Sequence, residues 1–147
     1  MQSSRPSRRP LVFTVLAIYL LLAALIAFWP TPVDSGAAPF LNALITKLHN
    51  HGFPAWLGYD QLEFAANVLF FIPLGFLMTL LLGRDRWWFS TLLATGASVC
   101  IEVGQQAFLA ARFSTIADVV ANTLGALAGA LVAYWFTGGR PRRAAVG

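Results

Sequence analysis

Four long runs of apolar residues constrain this chain more than any other feature of its sequence. They cover residues 11–29, 62–82, 87–109 and 116–136. A bilayer core about 30 Å thick is crossed by roughly 20 apolar helical residues, so each run is long enough to span it. Only 11% of the 147 residues are charged while 58% are apolar, which leaves too few polar side chains to cover a soluble domain. The sequence therefore predicts an all-α integral membrane protein with a four-helix transmembrane bundle.

The positive charges predict how the bundle is oriented. Eight of the 10 Lys and Arg residues fall in the N-terminus, the turn between the second and third runs, and the C-terminal tail. Cytoplasmic segments collect such residues, so we expect both termini in the cytoplasm. The same clustering between apolar runs argues against a nucleic-acid partner and for the lipid bilayer. The chain accordingly divides into a basic N-terminus (1–10), a transmembrane domain (11–136) and a basic tail (137–147).

The first apolar run has features of a signal peptide as well as of an anchor. Arg5, Arg8 and Arg9 precede it, as in the basic region of a signal. Its apolar stretch exceeds the roughly 7–15 residues of a signal core, and no convincing small-residue cleavage site follows before Pro30. We expect a retained anchor.

The first outer loop, residues 30–61, is too polar to span a membrane. Apolar residues recur on one face of a short helix within it: Phe40, Leu41, Leu44, Ile45 and Leu48. We expect this helix to lie in the membrane interface. His49 and His51 follow it, and two histidines in a loop are weak evidence for a metal site. We expect solvated loop residues there, and neither a metal nor a cofactor.

Three of the apolar runs contain a carboxylate with an amide one helical turn later. A charge inside a bilayer costs at least about 2.5–3.5 kcal/mol on insertion scales, so each of these acids requires a reason. The pairs are Glu63 with Asn67, Glu102 with Gln106, and Asp118 with Asn122, with Gln105 on nearly the same side of its helix as Glu102. In the predicted orientation all three pairs lie in the outer half of the membrane, beside the short loop that carries Arg112.

This polar cluster has two interpretations. A carboxylate in the first turn of a helix is stabilised by the macrodipole, which would explain Glu63 and Asp118 as structural caps. The macrodipole does not explain Glu102, because this residue lies near the C-terminal end of its helix, where a negative charge is unfavourable. The second interpretation is a ligand site in which Arg112 supplies a cation and the amides orient the ligand.

Four further residues are expected to shape the helices. Pro73 and Gly75 lie in the middle of the second run, where they would kink the helix and free backbone carbonyls. Gly125 and Gly129 give the fourth run a face of small residues that allows close helix contact. We interpret all four as packing residues.

Three stretches of the sequence resemble the VanZ-like family of bacterial membrane proteins. They are 63–75, 102–105, and Arg112 followed by 118–125. The positions that the resemblance marks are Asn67, Pro73, Gly75, Glu102, Gln105, Arg112, Asp118, Asn122 and Gly125. The interval from Glu102 to Arg112 is about one residue longer than in the family pattern, which leaves open whether Gln105 or Gln106 is the functional amide. The Asp-Lys and His signature that many members carry before the second span is not recognisable.

The resemblance implies an envelope protein of the bacterial cytoplasmic membrane. The family's founding member is associated with low-level resistance to the glycopeptide teicoplanin, so a link to glycopeptide resistance is an expectation. We expect a non-enzymatic protein that binds a polar head group, of a lipid or a lipid-linked cell-wall component, at the outer leaflet. The alternatives are an intramembrane enzyme acting on lipid-linked substrates and a small transporter, and oligomerisation is open.

Overall fold

The computed structural model describes residues 8–29, 36, 38–109 and 115–138. Within these ranges all regular structure is helical, which confirms the all-α prediction. The helices are α1 (Arg9–Ala27), α2 (Ala38–Asn50), α3 (Tyr59–Leu82), α4 (Trp87–Phe108) and α5 (Ile116–Gly138). A 3-10 turn (Arg84–Arg86) joins α3 to α4. The four long helices begin and end close to the bounds of the four apolar runs.

Three of these helices, α1, α3 and α5, are long and apolar enough to cross a membrane. With 22 residues α4 has the length but is not among them. Its interior carries several hydroxyl residues in addition to Glu102, and these lower its hydropathy. They are Ser90, Thr91, Thr95 and Ser98. Membrane-spanning helices are therefore supported for three of the four predicted spans, and the crossing by α4 stays a prediction.

The closest helix contact lies between α3 and α5. Gly125 lies against the carbonyl of Val68 and Gly129 against the carbonyl of Ile72. A step of four residues along α5 thus matches a step of four in the same direction along α3, so the two helices run parallel. A Cβ atom at either glycine would overlap the facing carbonyl oxygen, and one at Gly75 would overlap that of Ala126. Since lipid is as apolar as the helix surfaces, close backbone packing of this kind is what holds membrane helices together.

Pro73 does not end α3, which continues as one helix from Tyr59 to Leu82. Pro73 lies on the exposed side of the helix, whereas Gly75 is buried against α5. The proline cannot donate the hydrogen bond that the carbonyl of Leu69 would otherwise accept, but the turns on either side keep the helix intact. Gly75 therefore serves the contact with α5.

The short helix α2 occupies the position predicted for it and contacts α3. Its apolar residues divide into two groups. Leu41, Ile45 and Leu48 are partly or fully buried, while Phe40 and Leu44 are 70% and 39% exposed. Three residues at helical spacing therefore hold α2 against the bundle, and its place in the membrane interface stays a prediction.

His49 lies in the last turn of α2, and not in a loop as predicted, whereas His51 follows the helix; both bond to backbone carbonyls. His49 Nε2 donates to the carbonyl oxygen of Leu57 and His51 Nδ1 to that of Lys47, both at 2.8 Å. His51 is exposed, whereas His49 is half-buried. Their side chains shape the turn that leads into α3.

Candidate functional site

A cavity of about 210 Å³ lies at the end of the bundle where α1 and α4 end and α3 and α5 begin. We call it the polar cavity, because amide and carboxyl side chains contribute four of its ten lining residues. The lining residues are Ile26, Ala27, Ala66, Asn67, Phe70, Phe71, Ile101, Glu102, Gln105 and Asn122. Residues from α1, α3, α4 and α5 therefore meet around one space. The polar side chains among them come from α3, α4 and α5.

Asn122 lines this cavity and has one buried hydrogen-bonding atom without a partner among the residues described. The residue is 4% exposed, and its Nδ2 donates to Ser98 Oγ at 2.8 Å. Its Oδ1, in this orientation of the amide, has no hydrogen-bond partner among the residues described. A buried polar atom left without a partner costs about 1–3 kcal/mol. The amide is thus fixed at one end by Ser98 and has a buried acceptor at the other.

Gln105, and not Gln106, lines the cavity. Gln105 is 6% exposed, and its Nε2 donates to the carbonyl oxygen of Ala27 at 2.8 Å. The last carbonyls of a helix have no partner within it, so this bond both completes the end of α1 and ties it to α4. Gln106 is exposed and lies outside the lining. Glu102, three residues before Gln105, is half-buried and lines the cavity.

Asp118 caps α5 and does not line the cavity. Its Oδ2 accepts hydrogen bonds from the backbone N–H and the hydroxyl of Thr115, each at 2.8 Å. The Asp118 N–H donates to Thr115 Oγ1 at 3.3 Å, which completes a capping box at the start of the helix. Asp118 Oδ1 also accepts a bond of 2.8 Å from Asn67 Nδ2, which joins α5 to α3. For this residue the geometry matches the interpretation as a structural cap.

Of the remaining predicted residues, the structure describes Glu63 and does not describe Arg112. Glu63 is exposed on α3 and lies outside the lining. Arg112 falls outside the described residues. The structure thus brings Asn67, Glu102 and Asn122 together with Gln105, and Asp118 is connected to them through its bond to Asn67.

Sequence reasoning missed the contributions of Ser98 and of α1. Ser98 is fully buried and lies four residues before Glu102, so helical spacing puts it on the same side of α4. That spacing is the signal that would have found it. Ala27 takes part through its backbone carbonyl, which no pattern of side chains reveals.

A second cavity of about 150 Å³ lies deeper in the bundle, between α1, α3 and α4. We call it the apolar cavity. Its lining residues are Tyr19, Leu20, Ala23, Ala24, Phe70, Phe71, Leu74, Ala97 and Ile101. Tyr19 supplies the one polar side chain in this set, and its hydroxyl donates to the carbonyl oxygen of Phe70.

Comparison with known families gives a match over most of the chain. A family model described as VanZ/LLP1 matches residues 16–137, a range that includes every residue of both cavities. Comparison with curated proteins and with solved structures gives no match. The extent of the family match, together with the apolar helices, is sufficient for assignment: this chain belongs to the VanZ-like family.

Proposed function

We propose that this protein binds the polar head group of a membrane lipid, or of a lipid-linked cell-wall component, in the polar cavity. The observation that carries the proposal is the buried amide of Asn122, which is held by Ser98 at one end and lacks a partner among the described residues at the other. Glu102 and Gln105 face the same space. A few placed polar groups within a largely apolar lining are typical of small-molecule sites.

The lining favours ligand groups that donate hydrogen bonds. Asn122 Oδ1 is an acceptor without a partner among the described residues, and a carboxylate such as that of Glu102 accepts hydrogen bonds through its oxygens. Among the described residues that line the cavity there is no Lys, Arg or His. Hydroxyl groups of glycerol or a sugar, and the ammonium of an amine, supply the matching donors. We therefore infer a head group that bears hydroxyl or amine groups.

We infer that the cavity lies in the outer half of the bacterial cytoplasmic membrane. Arg84 and Arg86 lie between α3 and α4, at the opposite end of the bundle from the cavity. Positive residues collect on the cytoplasmic side of membrane helices, so the cavity end would face outward. Crossing by α4 would then put both termini in the cytoplasm.

Binding fits this arrangement better than catalysis or transport. General acid–base catalysis of hydrolysis commonly needs two groups that face one substrate. Of the three predicted acids Glu102 alone lines the cavity, and Asp118 is engaged in its capping box. A carrier requires polar groups along its path, whereas the polar cavity is followed by the apolar cavity.

Lipid selectivity tests the proposal. Native mass spectrometry of the full chain in detergent would compare phosphatidylethanolamine and phosphatidylglycerol with phosphatidylcholine, whose head group has no N–H or O–H. We expect the two donor-bearing lipids to bind about tenfold more tightly, since one hydrogen bond to a buried acceptor contributes roughly 1.4 kcal/mol. Asn122→Ala and Glu102→Gln should reduce this difference.

The matched control for Glu102→Gln is Glu63→Gln, because Glu63 is an acid on a neighbouring helix that lies outside the lining. It should keep the selectivity of the unmodified protein. Equal binding of all three lipids, or the same loss in Glu63→Gln as in Glu102→Gln, would contradict a head-group site in the cavity.

Family membership extends the proposal to glycopeptide resistance. We expect expression of the protein to raise the teicoplanin concentration that a susceptible bacterial host tolerates. Glu102→Gln should abolish the increase at equal membrane abundance, because it removes a charge from the cavity, and Glu63→Gln should retain it. Growth inhibition assays measure this. Equal tolerance in both variants would show that resistance does not depend on Glu102 in the cavity.

A further inference from the structure

The apolar cavity adjoins the polar cavity and lies deeper in the bundle. Phe70, Phe71 and Ile101 line both. On α1 the polar cavity is lined by residues 26–27 and the apolar cavity by residues between 19 and 24. At a rise of about 1.5 Å per residue, the apolar cavity is centred roughly 7 Å further from the helix end. A molecule that filled both would have its polar part at the bundle end and its apolar part nearer the membrane centre.

The chemistry of the apolar cavity suits hydrocarbon and not water. Its space is left by small side chains on facing helices, Ala23 and Ala24 on α1 and Ala97 on α4. The Tyr19 hydroxyl already donates to the Phe70 carbonyl, so its hydrogen is not offered to a guest. A buried water needs two to four polar partners, whereas apolar cavities stay dry and take apolar guests.

The position of the cavity gives it access to the surrounding lipid. α1 packs mainly against α3 and only slightly against α4, which leaves the space between α1 and α4 loosely covered. Leu20 and Ala24 line the cavity and are also exposed at the protein surface. In a bilayer that surface faces lipid chains, so a chain would enter from the side.

We propose that the apolar cavity holds one hydrocarbon chain of the lipid whose head group occupies the polar cavity, an inference that rests on the proposed function. Chain and bilayer are equally apolar, so the cavity selects by packing and not by the hydrophobic effect. Its role is to position the ligand so that the head group reaches Asn122. A larger side chain in the cavity displaces the hydrocarbon chain and with it the ligand.

The test compares a lipid with its chain-free head group. Dioleoyl-phosphatidylethanolamine and glycerophosphoethanolamine would each be titrated into the full chain in detergent, with binding measured by native mass spectrometry. Ala97→Leu fills the cavity from α4 and Ala24→Leu from α1, so the two variants test it independently. Ala17→Leu, on an exposed part of α1 outside the cavity, is the matched control.

We expect each cavity variant to weaken lipid binding about tenfold, within the range that overpacking produces, and to leave glycerophosphoethanolamine binding unchanged. Ala17→Leu should change neither. If both cavity variants bind the lipid as the unmodified protein does, the chain site is overturned, while binding of glycerophosphoethanolamine would leave the head-group proposal standing. If the variants lose both probes equally, chain-specific recognition is likewise rejected. If the unmodified protein binds neither probe, the head-group proposal fails and the chain site fails with it.

Discussion

The two asparagines that line the polar cavity make different contributions to the structure. Asn67 uses its Nδ2 to reach Asp118 and thereby joins α3 to α5. Asn122 uses its Nδ2 to reach Ser98 and joins α5 to α4, but its Oδ1 has no partner in the described part of the chain. Both amides therefore join helices around the cavity, and Asn122 also holds a buried acceptor without a partner among the described residues.

Replacement of Asp118 by Ala should lower stability because it removes both the capping box and the bond to Asn67. We expect a loss of about 1–2 kcal/mol in the free energy of unfolding, the order of magnitude for lost capping bonds together with one lost hydrogen bond between side chains. Asp60→Ala is the control, since Asp60 is an exposed acid in the first turn of α3. Thermal unfolding in detergent, followed by circular dichroism, measures both. An equal loss in the two variants would show that the cap has no special role.

At the scale of elements, the parallel pair α3 and α5 forms the frame on which the cavity is built. Carbonyl groups of α3 lie where side chains would be if Gly125 and Gly129 were larger. Along α5 the same face carries alanines with no exposed surface, among them Ala126 and Ala130. The two helices are therefore held at a separation that any added methyl group would change.

Gly129→Ala and Gly96→Ala should have opposite effects. A Cβ at position 129 would overlap the Ile72 carbonyl, whereas nothing lies within 4 Å of a Cβ at position 96. We expect Gly129→Ala to destabilise the protein by about 1–3 kcal/mol through overpacking. Gly96→Ala should stabilise it by up to about 1 kcal/mol through helix propensity. The same thermal unfolding assay compares them, and stabilisation by Gly129→Ala would contradict the close contact.

Helical spacing predicted part of the cavity from sequence, and its failures have physical causes. Asn67 and Asn122, which the i, i+4 pattern selected, both line the cavity, whereas the acids paired with them, Glu63 and Asp118, do not. The same pattern paired Glu102 with Gln106, whereas Gln105 is the amide that faces inward. Residues at i+3 and i+4 lie on either side of residue i on a helix, so packing against neighbouring helices decides which of Gln105 and Gln106 is buried. The role of Asp118 could not be decided, since a cap and a ligand site both call for an acid.

At the scale of the whole molecule, the apolar runs predicted the helices well because lipid demands long uninterrupted apolar segments. Composition predicts the crossing by α4 less well, because the hydroxyl groups of α4 lower its mean hydropathy although they point toward other helices. Ser90 and Ser98 are fully buried, and Thr95 contacts Thr123 of α5 at 3.1 Å. A helix whose polar side chains are covered by its neighbours can cross a membrane with a lower mean hydropathy.

Four crossings put both ends of the chain on the same side of the membrane, which the positive charges predict to be the cytoplasm, whereas three would put them on opposite sides. A C-terminal green fluorescent protein fusion should therefore fluoresce, and a C-terminal alkaline phosphatase fusion should be inactive. In a Cys100→Ser background, Ala55→Cys should react with an impermeant maleimide from outside and Asp85→Cys should not; both positions are exposed. An active phosphatase fusion would contradict the crossing by α4.

We expect the polar cavity to hold a lipid head group in the membrane. A crystal structure of the protein grown in a lipidic mesophase doped with phosphatidylethanolamine would show whether it does. Density for the head group should lie within hydrogen-bond distance of Asn122 Oδ1, beside Glu102 and Gln105. A cavity closed by these side chains, with ordered lipid bound only on the outer surface of the helices, would contradict this expectation.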